Sequence, residues 1–439
     1  MTDSHREPAP DGALVRGIGL RRLTANIVNL TVGAGIFVLP ASAAAGLGPA
    51  APLAYLTCAA LMALVLLCFA SAGSRVSLTG GPYAYIGAAF GPFAGFLAGV
   101  LYSLTVAFAT ASVASAFAAS LGVLWPPFAA GAGRVLVLIT LFGALAGANV
   151  RGVAVGARLV ETVTVAKLTP LVILIAAGVW FVRPEYLAWS GAPSALQLGR
   201  TAIILIYAFV GVEIALVPSG EIAEPSRTVP RAMFLALAFT TTLYLLIQAV
   251  AQGLLGPSMA TFSAAPLAEA AGRVLGRAGR LLVLIGGTVS MFGYLSGDML
   301  GSPRAYFAMA RDGTLPARLA HVHPRYRTPA AAIVTYAMVV TAFAISGTFA
   351  QLLILANVAI LSLYLLCVLA AGRLQQIGVR GEGEPFTTPG GWLVPVAAAV
   401  AILWLLSQAT LKEFAIEALV LAVASVAYAV ARRRRPAKA

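Results

Sequence analysis

The chain has 439 residues, of which 60% are hydrophobic and only 10% charged, and its mean hydropathy is +0.93. A soluble globular domain carries about 25% charged residues, so this composition excludes an ordinary soluble enzyme or binding module. The formal net charge of +14 points at first to nucleic acid, but the placement of the charges along the chain argues otherwise.

After a polar tail at residues 1–22, about twelve apolar stretches follow, starting near residues 24, 51, 90, 134, 160, 199, 232, 279, 329, 350, 391 and 413. Each is about 20 residues long, the length that spans a bilayer as a helix. The first lacks a small-residue cleavage site and reads as a spanning helix, not a removed signal. With the N-terminus in the cytoplasm, 21 of the 29 Lys and Arg fall in cytoplasmic segments and seven in external ones, with Lys167 left inside the fifth span. This excess of positive charge inside predicts that both termini are cytoplasmic. The basic run Arg432–Arg435 then reads as an anchor to anionic lipid and not as a DNA contact. Cys58, Cys68 and Cys367 lie in apolar spans and read as small buried hydrophobes. His321 and His323 have no ligand partners at metal spacing, so no metal site is expected.

The first apolar stretch carries a Gly-Ala-Gly sequence within Thr31–Pro40 (TVGAGIFVLP). Glycine weakens a helix, and exposed backbone inside a bilayer is tolerated only where it is buried in protein or lines a wet cavity. The run therefore reads either as a close helix–helix approach or as an interrupted helix that binds a small charged solute. A second interruption lies in the sixth span, where IILIYAFVGVEIALVPSG at residues 203–220 holds Gly211, Glu213 and Pro218. Two interruptions five spans apart are the pattern of an inverted repeat of five plus five helices. The expected organisation is a cytoplasmic tail (1–22), a ten-helix core (23–372, repeats about 23–182 and 199–372), two further helices (391–432) and a basic tail (433–439).

The sequence holds no G-x-x-x-x-G-K-[ST] loop, G-x-S-x-G elbow or H-E-x-x-H pair, and no intramembrane nucleophile or metal cluster. The chain therefore reads as a transporter and not as an enzyme. The ionisable groups inside apolar spans are Lys167, Glu213 and Asp298, with Glu161 and Glu221 nearer the ends. Charge at membrane depth costs roughly 2.5–3.5 kcal/mol on insertion scales, so each needs an account. Lys167 reads as a proton carrier, a fixed cation tying helices together, or a structural amine bonded to backbone carbonyls. Glu213 reads as a gate, a proton site or a cap on freed amides. For Asp298 the structural alternative is a salt bridge to an arginine such as Arg304. Ser290 joins Glu213 and Asp298 as a candidate gate or coupling residue. Tyr207 and Phe209 flank the sixth-span break, where they either close over a solute or simply pack.

The motifs GAGIFVLP, GGPYAYIGAAFGPFAGFLAG (80–99), FVGVE (209–213), EPSRTVPRAM (224–233), SPRAYFAMARDGTLP (302–316) and PFTTPGG (385–391) occur in this order with spans between them. Together they resemble the amino acid–polyamine–organocation (APC) permeases over essentially the whole chain. The resemblance implies an all-α, twelve-helix fold with a five-plus-five inverted-repeat core of the LeuT type and broken helices 1 and 6. It also implies alternating access with an amino acid as cargo. By position, the substrate carboxylate is expected at the amides of Ala34, Gly35 and Ile36, beside Gly33. Many relatives carry Ser in place of Ala34. The ammonium is expected at carbonyls of Thr31, Tyr207 and Val210, with Phe209 and Gly211 completing the pocket. Lys167 matches a lysine of proton-coupled members that takes the place of sodium in other relatives. It also resembles that of sodium-independent exchangers. The expected activity is proton-coupled import across a bacterial-type inner membrane, with exchange as the alternative. A channel is disfavoured because the breaks are unequal and form no ring. The small, neutral pocket favours neutral side chains. The expected partners are the amino acid, a proton and lipid, with no cofactor, nucleic acid or obligate protein partner.

Overall fold

A computed structural model describes residues 19–33, 35–76, 82–151, 157–189, 191–211, 225–311, 315–379, 386 and 388–434. Helices dominate, and no strand occurs among the described residues. The helices are α1 (Leu20–Thr31), α2 (Gly35–Leu47), α3 (Ala51–Arg75), α4 (Pro82–Phe90), α5 (Pro92–Leu124), α6 (Gly131–Val150), α7 (Ala157–Gly178) and α8 (Ala195–Leu205). They continue with α9 (Pro225–Leu255), α10 (Pro266–Gly301), α11 (Pro303–Arg311), α12 (Ala330–Ser346), α13 (Phe349–Gln376), α14 (Leu393–Leu406) and α15 (Leu411–Arg434).

Seven helical stretches among the described residues are long and apolar enough to cross a membrane, and four shorter apolar helices accompany them. Large apolar side chains such as Leu136, Ile139, Leu282, Val400 and Val426 point outward. A monomeric soluble protein avoids such broad apolar exposure, but hydrocarbon tolerates it. Trp125, Trp180 and Trp392 stand exposed near helix ends, where amphipathic rings favour the membrane interface. The chain is a multi-pass membrane protein.

The interior is built from small residues that let the helices approach. A side chain at Gly46 of α2 would collide with the Thr201 hydroxyl of α8, so glycine lets these two helices pack as closely as they do. α5 packs on α13, and α7 on α10. α1 packs on α9, α8 on α3, α3 on α9, and α6 on α12. Inside this core, hydroxyls turn back to their own helices: Thr105 donates to the Leu101 carbonyl at 2.9 Å and Thr240 to that of Ala236 at 2.8 Å. Back-bonding of this kind satisfies a hydroxyl where water is absent. The three cysteines are buried and unpaired with one another, as small hydrophobes.

The helix containing the eighth apolar stretch differs from its expected start near residue 279. α10 begins at Pro266 and bends at Gly276, whose φ is +62°. Arg280 and Glu269 form an ion pair across this bend, at 2.7 Å. The arginines at 273, 277 and 280 hide the helix from a reading based on hydropathy.

Candidate functional site

α1 ends where the Gly33 amide donates to the Thr31 carbonyl at 2.8 Å, with Val32 at φ −75°, ψ 75°. This is an inverse γ-turn, and it stops the helix abruptly. α2 starts at Gly35. The opening amides of a helix have no intrahelical acceptor, and no described residue accepts from Gly35 or Ile36. Pro40 lies inside α2 and has no amide to offer the Ile36 carbonyl four residues earlier. The break thus presents donors at the start of one helix and acceptors at the end of the other. Ala34, between them, lies outside the described residues.

The sixth apolar stretch is also interrupted. α8 tightens into a 3₁₀ turn over Ile206–Phe209, Val210 is extended, and Gly211 takes φ +113°. A side chain other than glycine is strained at that φ. Glu213, like Glu221, lies outside the described residues, and the Glu161 side chain does too.

The two interruptions meet. The Tyr207 ring lies against Gly35, where a Cβ would stand 3.3 Å from Tyr207 Cδ1 and 3.1 Å from Leu39 Cδ1. The Tyr207 hydroxyl reaches the Ala109 carbonyl of α5 at 3.5 Å. Phe209 is fully buried, and its ring meets Tyr244 of α9 edge-on at 5.5 Å. Of the two aromatics, Tyr207 is the one that covers the first break.

Tyr244 was not singled out by the sequence, yet it joins both breaks. Its hydroxyl sits 3.1 Å from the Thr31 carbonyl and 2.8 Å from that of Ala208. One turn along α9, the Gln248 carbonyl oxygen accepts from the Tyr55 hydroxyl at 3.4 Å. Thr31 Oγ1 and Gln248 Nε2 are buried with no hydrogen-bond partner among the described residues. Spare polar capacity therefore surrounds the end of α1. The signal available in the sequence was the spacing of Tyr244, Gln248 and Gln252, a polar stripe on one face of an apolar helix.

Two buried side chains brace the broken helices from outside. Lys167 of α7 donates to the Asn29 carbonyl near the end of α1. Asn357 of α13 donates to the Ile203 carbonyl near the end of α8, at 2.7 Å. Both put a donor where helix carbonyls lose their partners and the helix dipole is negative. Asn357, too, was missed in the sequence reading.

Asp298 makes no ion pair with Arg304, which is exposed. Six residues on a helix turn through roughly 240°, and α10 ends between the two, so they do not share a face. Hydroxyls hold the carboxylate instead: Ser302 Oγ at 2.6 Å from Oδ1 and Tyr336 Oη at 2.6 Å from Oδ2. Ser290 is buried on α10. One turn before it, a side chain at Gly287 would meet Phe37 of α2 at 3.0 Å, so this face of α10 abuts the helix that follows the first break.

The chain is similar in sequence to known transporters. The family model described as amino acid permease matches residues 18–424. A protein of Mycobacterium bovis named as an uncharacterized transporter is 32% identical over 438 residues, covering 95% of this chain and 92% of its own. The serine/threonine exchanger SteT of Bacillus subtilis is 27% identical over 416 residues, covering 92% and 93%. The methylthioribose transporter of the same organism is 26% identical over 418 residues, covering 89% and 88%. The motifs, the two joined helix breaks and the match along nearly the whole chain place it in the amino acid permease family of the APC superfamily.

Proposed function

We propose that the protein is a proton-coupled amino acid transporter that works by alternating access across the bacterial inner membrane, with both termini in the cytoplasm. The observation that carries this reading is the junction of the two breaks, where Tyr207 covers Gly35 and Tyr244 touches both Thr31 and Ala208. The substrate carboxylate binds the amides of Ala34, Gly35 and Ile36, because free donors at a helix start attract an anion. The ammonium binds the carbonyl end of the sixth-span break beside Tyr207 and Val210, and the Thr31 hydroxyl lies within the same pocket. Gly33 and Gly211 supply the backbone turns, and Phe209 backs the wall.

The packing supports a five-plus-five inverted repeat within twelve spans. If α1 with α2 is span one and α8 opens span six, each contact has its counterpart. α5 on α13 answers α10 on α7, and α1 on α9 answers α8 on α3. Lys167 on the α1 carbonyls answers Asn357 on those of α8. α14 and α15 stand outside the repeat.

A second reading, sodium-independent exchange, is favoured by one observation. Lys167 is tied to a backbone carbonyl, as a fixed strut would be, and one relative is named an exchanger. The pocket claim is tested by counterflow in proteoliposomes with a mixture of labelled L-amino acids. Saturable counterflow is expected, and amines that lack the carboxylate should compete poorly. An amine that competes as well as its parent amino acid overturns the carboxylate assignment.

A further inference from the structure

The Asp298 carboxylate lies within the helix bundle, where α10, α12 and α5 meet. Among the described residues its hydrogen-bond partners are the side-chain hydroxyls of Ser302 and Tyr336, and Thr110 Oγ1 lies 3.4 Å from Tyr336 Oη. The ionisable groups facing it are all phenols: Tyr207 from the sixth-span break, Tyr294 on α10, Tyr306 on α11 and Tyr336 on α12. Among the described residues, no Lys, Arg or His faces it from α2, α5, α6, α7, α9, α11 or α12. Lys167, the buried cation of α7, is bonded to Asn29 instead.

This donor set is unusual for a structural carboxylate. A guanidinium, ammonium or backbone amide can only donate, and would lock the group as an anion. A hydroxyl donates and accepts. The same two oxygens therefore satisfy a carboxylate, by two donations, or a carboxylic acid, by one hydroxyl turning to accept, and Tyr336 Oη has Thr110 Oγ1 at 3.4 Å to receive its own proton when it turns. No heavy atom has to move between the two states. An isolated carboxylate without a counter-ion is costly in low dielectric, and neutralisation by a proton removes that cost. Tyr207 connects this region to the transport pocket, since its ring lies on Gly35 while its hydroxyl reaches the Ala109 carbonyl, next to Thr110 on α5, at 3.5 Å.

We propose that Asp298 is a proton-binding residue of the transport cycle, held in a cage of the Ser302 and Tyr336 hydroxyls, with Thr110 behind Tyr336, that accommodates both its charged and its neutral form. The inference rests on the proton-coupled reading above and assigns the proton to a carboxylate on α10 rather than to Lys167. In the outward-facing state a hydronium ion gives its proton to a carboxylate oxygen, forming the acid O–H. In the inward-facing state that bond breaks and the proton passes to cytoplasmic water. The carboxylate is regenerated without any other reactant.

Infrared difference spectroscopy of the full-length protein in lipid, titrated with acid, reads this directly and needs no substrate. Asp298→Asn should remove one titrating carboxylic-acid band present in the wild type. In proteoliposomes supplied with a mixture of labelled L-amino acids, the same variant should lose accumulation driven by a pH gradient. Counterflow at symmetric pH, which needs no net proton movement, should persist. An unchanged band pattern, or an unchanged response to the gradient, overturns the proposal. If the wild type itself ignores a pH gradient, proton coupling fails as a function, while the infrared titration still decides whether Asp298 binds a proton. Should Asp298→Asn fail to fold, Tyr336→Phe serves: loss of one donor to the carboxylate moves the band's midpoint to higher pH, and an unmoved midpoint refutes the cage.

Discussion

Single residues do two kinds of work at the junction of the helix breaks. Gly35 keeps space, and its replacement by Val places new carbons where Leu39 and Tyr207 stand at 3.1 and 3.3 Å from a Cβ. Gly35→Val should abolish amino acid binding, measured by counterflow, while size-exclusion behaviour and thermal unfolding show a folded protein. Tyr244 has one hydroxyl proton to donate, with the Ala208 carbonyl nearest at 2.8 Å and the Thr31 carbonyl, which also accepts from the Gly33 amide, at 3.1 Å. Tyr244→Phe removes the buried hydroxyl donor of the Ala208 carbonyl, at a cost of about 1–3 kcal/mol. Transport affinity should fall by roughly 5–30-fold for each 1–2 kcal/mol lost at the site, with little change in expression. Unaltered transport kinetics in Tyr244→Phe would make the residue ordinary packing. The glycines were legible in the sequence because glycine in a spanning helix is conspicuous. Tyr244 was not, because a tyrosine among many apolar and aromatic residues gives no sign of which carbonyls it will meet.

Helix ends are the weak points of the elements, and buried donors tie them down. Lys167 stood out as a lone charge in an apolar span, so the sequence pointed to it. Asn357 carries no charge and passed unnoticed, yet it serves α8 as Lys167 serves α1. Arg134 does the same for α12, with its guanidinium on the Ala344, Ile345 and Gly347 carbonyls at 2.7, 3.3 and 3.0 Å. Asn357→Ala should lower the thermal midpoint by an amount equivalent to about 1–3 kcal/mol, because buried carbonyls lose their donor. A midpoint equal to that of the wild type would show that α8 is held by packing alone. Element boundaries were legible where composition changes sharply, as at Thr31 and Gly211. They were illegible where arginines line a helix, as before Gly276, and where contacts depend on rotation about the helix axis, as for Asp298 and Arg304.

At the scale of the molecule, the sequence displayed the membrane class through its apolar stretches and the family through its six motifs. It also displayed, in two interrupted apolar stretches, the two helix breaks that meet at Gly35 and Tyr207. It did not show what faces what across the bundle, because apolar helices carry little directional pattern when every side meets either lipid or another apolar helix. The energy source follows from such cross-bundle contacts. A sodium ion takes a cage of oxygen ligands, as hard cations do, and Lys167 puts an amine beside the carbonyls that end α1. The most direct measurement is accumulation of labelled L-amino acids by proteoliposomes in sodium-free medium, with and without an inward proton gradient, for the wild type and for Asp298→Asn. The account predicts that the wild type concentrates amino acid only when the gradient is present, needs no sodium, and loses this response in Asp298→Asn. A strict sodium requirement, or exchange that ignores the gradient, would contradict it.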